Sequence, residues 1–161
     1  MGMTHQELVT RAGRWLESVG CGVHFEELVT SNGTGEIPDA IGWVWGASIL
    51  VECKATRADF LADIKKQHRQ QPELGMGDWR VYFCEPGLIQ PDELPTGWGL
   101  VYAGPKRCTR VAGIARGNTE WHPAPFKGNR RAETAMLLSA LRRLKLRGVL
   151  PMIYDPIGVA A

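Results

Sequence analysis

The stretch Pro38-Asp39-Ala40-Ile41-Gly42-Trp43-Val44-Trp45-Gly46-Ala47-Ser48-Ile49-Leu50-Val51-Glu52-Cys53-Lys54 decides the reading of the fold. Its two halves are largely apolar, and Trp45-Gly46 separates them like the two central residues of a tight hairpin turn. With that turn Val44 faces Ala47, the numbers of paired residues sum to 91, and Asp39 falls opposite Glu52. Such cross-strand partners have Cβ atoms about 4.5–5.5 Å apart. Side chains alternate along a strand, so Glu52 and Lys54 share one face while Val51 and Cys53 take the other. The register therefore predicts that Asp39, Glu52 and Lys54 converge at one end of the sheet. A one-residue shift in the turn would undo that convergence.

Outward from the hairpin, the chain reads as alternating helices and strands. Thr4-His5-Gln6-Glu7 fits a capping box for a helix over 4–19, with Leu8, Ala12, Trp15, Leu16 and Val19 at helical spacing and Gly20 as its stop. Residues 21–29 alternate as a strand, 31–35 form a loop, and 37–44 and 48–54 are the second and third strands. The third is nearly all apolar, as a central strand covered on both faces would be. Thr56 caps a second helix that fades near Gln70-Gln71-Pro72, and 79–84 is a fourth strand. Residues 99–103 and 109–115 read as a hairpin around Gly104-Pro105. Asn129 caps a last helix ending before Gly148, with Ala132, Met136, Ala140, Leu141 and Leu144 facing inward. The expectation is a single α/β (α+β) domain over 1–161. Its αβββαβ core, about 4–84, has a mixed central sheet flanked by helices, and an extension over 85–150 adds a C-terminal β-hairpin and a basic helix.

Composition narrows the function classes. The 161 residues are 44% apolar and 22% charged, values of an ordinary globular domain. No run approaches the ~18–20 apolar residues of a membrane helix, and the N-terminus lacks a secretory pattern. Cys21, Cys53, Cys84 and Cys108 form no Cys-x-x-Cys pair, which counts against structural zinc and fits a reduced, cytoplasmic protein. Gly33 and Gly35 are not followed by the lysine of a nucleotide-binding loop, and no Gly-x-Ser-x-Gly is present. Net charge is only +2, but residues 127–147 carry Lys127, Arg130, Arg131, Arg142, Arg143, Lys145 and Arg147 against the single acid Glu133. That segregation suits either a polyanion such as nucleic acid or a solvated helix face.

Two carboxylates and a lysine on one surface are the makings of a divalent-metal site with a positioned cation. Carboxylates are hard oxygen ligands suited to Mg²⁺ or Mn²⁺, and the main-chain carbonyl of Cys53 can add another oxygen. A metal held there would polarise a phosphate and acidify a bound water, and a neighbouring lysine would orient the water or neutralise developing charge.

Pro38-Asp39 followed by Glu52-Cys53-Lys54, within that element order, resembles the PD-(D/E)xK nuclease superfamily with its restriction-endonuclease-like fold. Ile49-Leu50-Val51-Glu52-Cys53-Lys54 followed by Ala58-Asp59-Phe60 and Asp63 most resembles its small MmcB-like bacterial and phage group. The resemblance covers about half the chain and leaves residues 85–161 outside it. It implies Mg²⁺-dependent phosphodiester cleavage with Asp39 and Glu52 as metal ligands and Lys54 as the catalytic lysine. It also implies an acid on the first helix, where Glu7 is the matching position, and a glutamine after the lysine strand, where Gln67 is the nearest match.

Each of these residues also has a plain structural reading. A capping box accounts for Glu7 equally well; of Glu26 and Glu27 on the first strand, one faces the site or both are exposed strand acids, and Glu36 reads as a loop charge. Asp59, Asp63 and Lys66 read as capping and an i,i+3 ion pair. Lys65, Lys66 and Arg69 track a phosphate backbone or form a solvated face, and Lys127, Arg130 and Arg131 are expected to hold nucleic acid. The function expected is DNA phosphodiester hydrolysis in repair or in phage or mobile-element DNA processing, with a homodimer if both strands are cut. The alternative is a non-catalytic nucleic-acid-binding module on the same fold. A third reading, a mobile-element protein that binds a host protein, makes the acidic pair incidental.

Overall fold

A computed structural model describes residues 2–157 of the chain. The fold is α+β. Helix α1 (His5–Ser18) leads into strands β1 (Val23–Glu26), β2 (Ala40–Val44) and β3 (Ala47–Lys54). Helices α2 (Arg57–Asp63) and α3 (Gln67–Gln70), strands β4 (Trp79–Cys84), β5 (Gly99–Ala103) and β6 (Cys108–Ala112), and helix α4 (Arg130–Leu146) follow. The six strands form one mixed sheet in sequence order. β1, β2 and β3 are antiparallel, β3, β4 and β5 are parallel, and β6 returns antiparallel to β5. The α-β-β-β-α-β order up to Cys84 is thus present, and β5 and β6 extend the same sheet.

Strand alternation divides the core in two. Ile49, Val51 and Cys53 face α1, together with Val81, Phe83 and Val101. Leu50 faces the other way with Ile41, Phe60, Tyr82, Leu100 and Met136. All eight residues of β3 are buried, as its apolar run implies. The β2–β3 turn is the tight one expected: Trp45 and Gly46 sit at φ 49° and 75°, the left-handed pair that a twisted two-residue hairpin needs. Every β2–β3 pair sums to 91, from Val44 with Ala47 to Ala40 with Val51.

The expected second helix is broken. α2 stops at Asp63, Lys66 adopts an extended conformation (φ −65°, ψ 144°), and α3 restarts at Gln67. The break lets Lys66 and Arg69 turn back onto Asp63, and those ion pairs outweigh helix continuation. The last helix also departs from expectation. Asn129 caps it and Ala132 and Met136 are buried, but Leu141 and Leu144 are exposed rather than inward, as are Leu138 and Leu146. Apolar spacing marks a helix face; it does not say how far the helix runs past the sheet. Among the described residues no helix is long and apolar enough to cross a membrane.

Candidate active site

The hairpin register brings the predicted trio to one end of β3, in two layers. Asp39 lies one residue before β2, and its Oδ2 accepts the Cys53 N–H at 2.7 Å. The carboxylate thereby replaces the next rung of the β2–β3 ladder and is fixed at the strand end. Glu52 and Lys54 project to the face opposite Val51 and Cys53, as alternation requires.

Beneath the surface lies a buried ionic cluster. Lys54 Nζ sits 3.1 Å from both Glu52 Oε2 and Asp63 Oδ1. Arg69 lies 2.8 Å from Asp63, 3.1 Å from Glu52 and 3.2 Å from Glu36, with its guanidinium 4.5 Å from the Trp98 ring centroid. Lys66 Nζ reaches Asp63 at 2.8 Å and Glu52 at 3.5 Å. Tyr82 donates its hydroxyl to Asp63 at 2.8 Å, and the Met76 N–H donates to Glu36 at 2.7 Å. Three acids, Glu36, Glu52 and Asp63, meet three cations, Lys54, Lys66 and Arg69. Burying an ion costs several kcal/mol unless it is paired, and each of these ions is paired. Burial alone would raise the Asp63 carboxyl, but the charges of Arg69 and Lys54 outweigh it and hold the group well below the usual carboxylate range.

The outer layer carries surplus negative charge. Burial, and then the charge of Glu52, push the Asp39 carboxyl up to about 6, against the pull of Lys54. Glu27 follows β1 at φ 46°, a conformation uncommon outside glycine, and its N–H donates to the Asp39 carbonyl at 3.0 Å. From the first turn of α1, His5 Nε2 lies 3.2 Å from Glu27 Oε1 and 3.6 Å from Asp39 Oδ1. One ligand atom from each of His5, Glu27 and Asp39 falls within 4.8 Å of the others. A depression of about 440 Å³ opens here, with His5, Asp39, Cys53, Lys54, Asp63 and Lys66 among its lining residues.

The other predicted site residues fare unequally. Glu7 is taken up by the capping box: its carboxylate accepts the Thr4 N–H at 2.7 Å and the Thr4 hydroxyl at 2.8 Å, which lowers its pKa. It lines a different depression, with Thr10 and Arg14, and α1 presents His5 to the site instead. Gln67 is exposed and does not line the site depression. Arg69, expected on a phosphate backbone, has a side chain only 3% exposed within the acidic cluster and serves as its central cation. Lys65 is exposed, and Lys66 stands at the lip with its side chain 46% exposed.

Arg130, expected to hold nucleic acid, has a half-exposed side chain that pairs with Asp78 at 2.6 Å and Glu133 at 2.7 Å. These acids also bind Ser48, six residues from Lys54 and therefore about 20 Å away along β3. Lys127 and Arg131 are exposed beside that far end. Sequence reasoning missed His5, read Glu36 as a loop charge, and left open whether Glu26 or Glu27 faces the site. For Glu27 a signal existed: β1–β2 pairs sum to 66, which sets Glu27 opposite Asp39 once that register is known.

No protein-family model matches the chain, and no curated protein matches it. Among solved structures, a protein of unknown function from Silicibacter pomeroyi is similar over the whole of both chains, with a TM-score of 0.61 and 24% identity. That similarity concerns the fold.

Proposed function

We propose that this protein is a divalent-metal-dependent nuclease that hydrolyses DNA phosphodiester bonds, as in repair or in phage or mobile-element DNA processing. The observation that carries the proposal is the meeting of Asp39, Glu52 and Lys54 at one hairpin end, under a depression lined by His5, with Glu27 beside His5 and Asp39. The donor set can hold a divalent ion, and its imidazole suits a transition-metal ion such as Mn²⁺ better than Mg²⁺, which prefers oxygen ligands. It supplies two carboxylates and one imidazole, and the 3.2 and 3.6 Å separations suit ligands about 2.0–2.2 Å from a shared ion. When bound, the ion would polarise the scissile phosphate and acidify a water.

The chain's own residues divide the remaining work. Asp39, locked by the Cys53 N–H, would hold the ion with Glu27 and His5. Glu52, named as a ligand from the sequence resemblance, is held by Lys54, Lys66 and Arg69, and in this reading it aims Lys54 at the depression. Lys54 offsets negative charge developing on the phosphate. Asp63, fixed by Tyr82 and Arg69, keeps Lys54 from turning away. One observation favours the second reading, a non-catalytic nucleic-acid-binding module: Glu52 is already paired with Lys54, Lys66 and Arg69.

The test is cleavage of labelled single-stranded, duplex and branched DNA with Mg²⁺ or Mn²⁺, with Asp39→Ala beside wild type. Cleavage that disappears in the variant and with EDTA is expected. A folded protein that binds DNA but cuts none of the substrates overturns the nuclease in favour of the binding module.

A further inference from the structure

We propose that nucleic acid is held in a basic channel between α1 and the turn of the β5–β6 hairpin, and not along α4. The inference rests on the nuclease reading for its choice of ligand. Its own basis is a depression of about 770 Å³ lined by Arg11 and Arg14 of α1, Lys106 and Arg107 of the hairpin turn, and Arg110 of β6. No carboxylate lines it, and the buried Trp15 forms part of its wall.

The charge in this depression is not neutralised. Arg11 donates to the Gly104 carbonyl, and Arg110 donates to the carbonyls of Ala115 and Gly117. These neutral acceptors orient the guanidinium groups and leave their charge intact. Arg14, Lys106 and Arg107 are exposed, with no acidic partner within ion-pair distance among the described residues. Elsewhere Arg57, Arg69 and Arg130 each meet an acid. Cations gathered in a concavity repel one another and focus a positive field, which a chain of phosphates would relieve.

The channel and the candidate site share helix α1 but lie around different sides of it. Arg11 and Arg14 lie six and nine residues beyond His5 on α1, about 9 and 14 Å along its axis. That distance spans roughly three to four phosphates of one strand of B-form DNA at ~3.4 Å each. Arg11 also lines a neighbouring depression with Glu85 and Leu88, just past the end of β4. β4 runs parallel to β3, with Cys84 beside Lys54, so this neighbouring depression lies at the same end of the sheet as the site. The start of α4 lies at the opposite end of β3. Farther along α4, exposed Leu138, Leu141 and Leu146 stand among the basic residues, and a phosphate backbone would leave them uncovered.

The experiment is fluorescence anisotropy of a labelled single strand and a labelled duplex, in EDTA, across a salt series. It compares wild type with Arg14→Ala/Lys106→Ala/Arg107→Ala, Arg14→Lys/Arg107→Lys, and the α4 variant Arg131→Ala/Arg142→Ala/Lys145→Ala. All the substituted residues are exposed, and melting temperatures identify folded protein. The channel alanine variant is expected to bind at least about tenfold more weakly, with the log–log salt slope reduced by about 2–3 for three lost phosphate contacts. The lysine variant and the α4 variant should bind within about twofold of wild type.

Unchanged binding by the channel alanine variant overturns the proposal. So does a tenfold loss confined to the α4 variant, or a wild type that binds neither DNA. Asp39→Ala separates the two readings. Channel-dependent binding without cleavage by wild type leaves the channel and removes the nuclease. Asp39-dependent cleavage with no channel effect does the reverse.

Discussion

The two ends of β3 carry buried acids on the same face of the same strand, yet they are held in opposite ways. At the Ser48 end, Asp78 accepts the N–H groups of Ser48 and Gly128, each at 2.9 Å, and Glu133 accepts the Gly77 N–H at 2.9 Å and the Ser48 hydroxyl at 2.7 Å. Arg130 then bridges both acids. At the Lys54 end, Glu52 is held by Lys54, Lys66 and Arg69, and Asp63 by the same three cations with the Tyr82 hydroxyl. A main-chain N–H within a packed turn cannot leave without unfolding that turn, whereas an ammonium group on a flexible stem can exchange its partner. The first end is built as a joint that fastens α4 and the loop before it to the sheet. The second has the composition of a working site.

Lys54→Met is the most severe way to break this contrast. On the nuclease reading it is expected to lower the cleavage rate about 10²–10³-fold, the usual cost of one charge-stabilising group. Arg69 and Lys66 still face Glu52 and Asp63, so urea denaturation should show folded protein. Cleavage at the wild-type rate would remove Lys54 from the chemistry. Asp78→Ala is the reciprocal probe. It strands two buried N–H groups and half of the Arg130 pairing, and should cost about 2–4 kcal/mol in urea unfolding. Cleavage per folded molecule should stay at the wild-type level.

The joint should also show itself in acid. Burial alone would raise the Asp78 carboxyl, but hydrogen bonds from Gly128 and Ser48 and the pairing with Arg130 hold it below its ordinary value. Its stabilisation is therefore complete above the unfolded value of about 3.9 and is lost as pH falls through the lower, folded value. Asp78→Asn lacks this contribution. Its stability deficit should be largest near neutrality and shrink below about pH 4, measured by urea melts at stepped pH. A deficit that does not change with pH would mean that the carboxylate's charge contributes nothing.

The β2–β3 hairpin was legible because a two-residue turn leaves no freedom of register. Trp45-Gly46 fixes Val44 against Ala47, and the opposition of residues near 39 and 52 follows by counting. The β1–β2 connection runs through residues 27–39, and no count can fix a register across a loop of that length. Counting along the sequence therefore left open which of Glu26 and Glu27 faces the site. His5 was hidden for a related reason: a capping box at Thr4 and Glu7 announces where α1 begins but not which sheet end it overlies. Arg69 misled because it was read on a continuous helix. The break at Lys66 turns it inward, a tertiary effect that local propensity does not encode. The basic run over 127–147 drew attention because it is contiguous in sequence. The channel cations come from two separate segments, around 11–14 and 106–110, and only folding brings them together.

The smallest expected effect bears most directly on what the Lys54 end is for. If that end served stability alone, removing the charge of Asp39 would weaken it. The surroundings indicate the opposite, because burial and the neighbouring Glu52 both disfavour the charged carboxylate there. Asp39→Asn keeps an amide oxygen to accept the Cys53 N–H while discarding the repulsion. Unfolding at pH 8 without divalent ions should then show the variant about 1 kcal/mol more stable than wild type, the kind of gain found where a working site is built at some cost to the fold. Millimolar Mn²⁺ should raise the melting temperature of wild type and leave that of the variant unmoved, because binding confined to the folded state shifts unfolding in proportion to occupancy. A variant destabilised by more than about 1 kcal/mol would make Asp39 part of the scaffold. The two ends of β3 would then differ in their partners but not in their purpose.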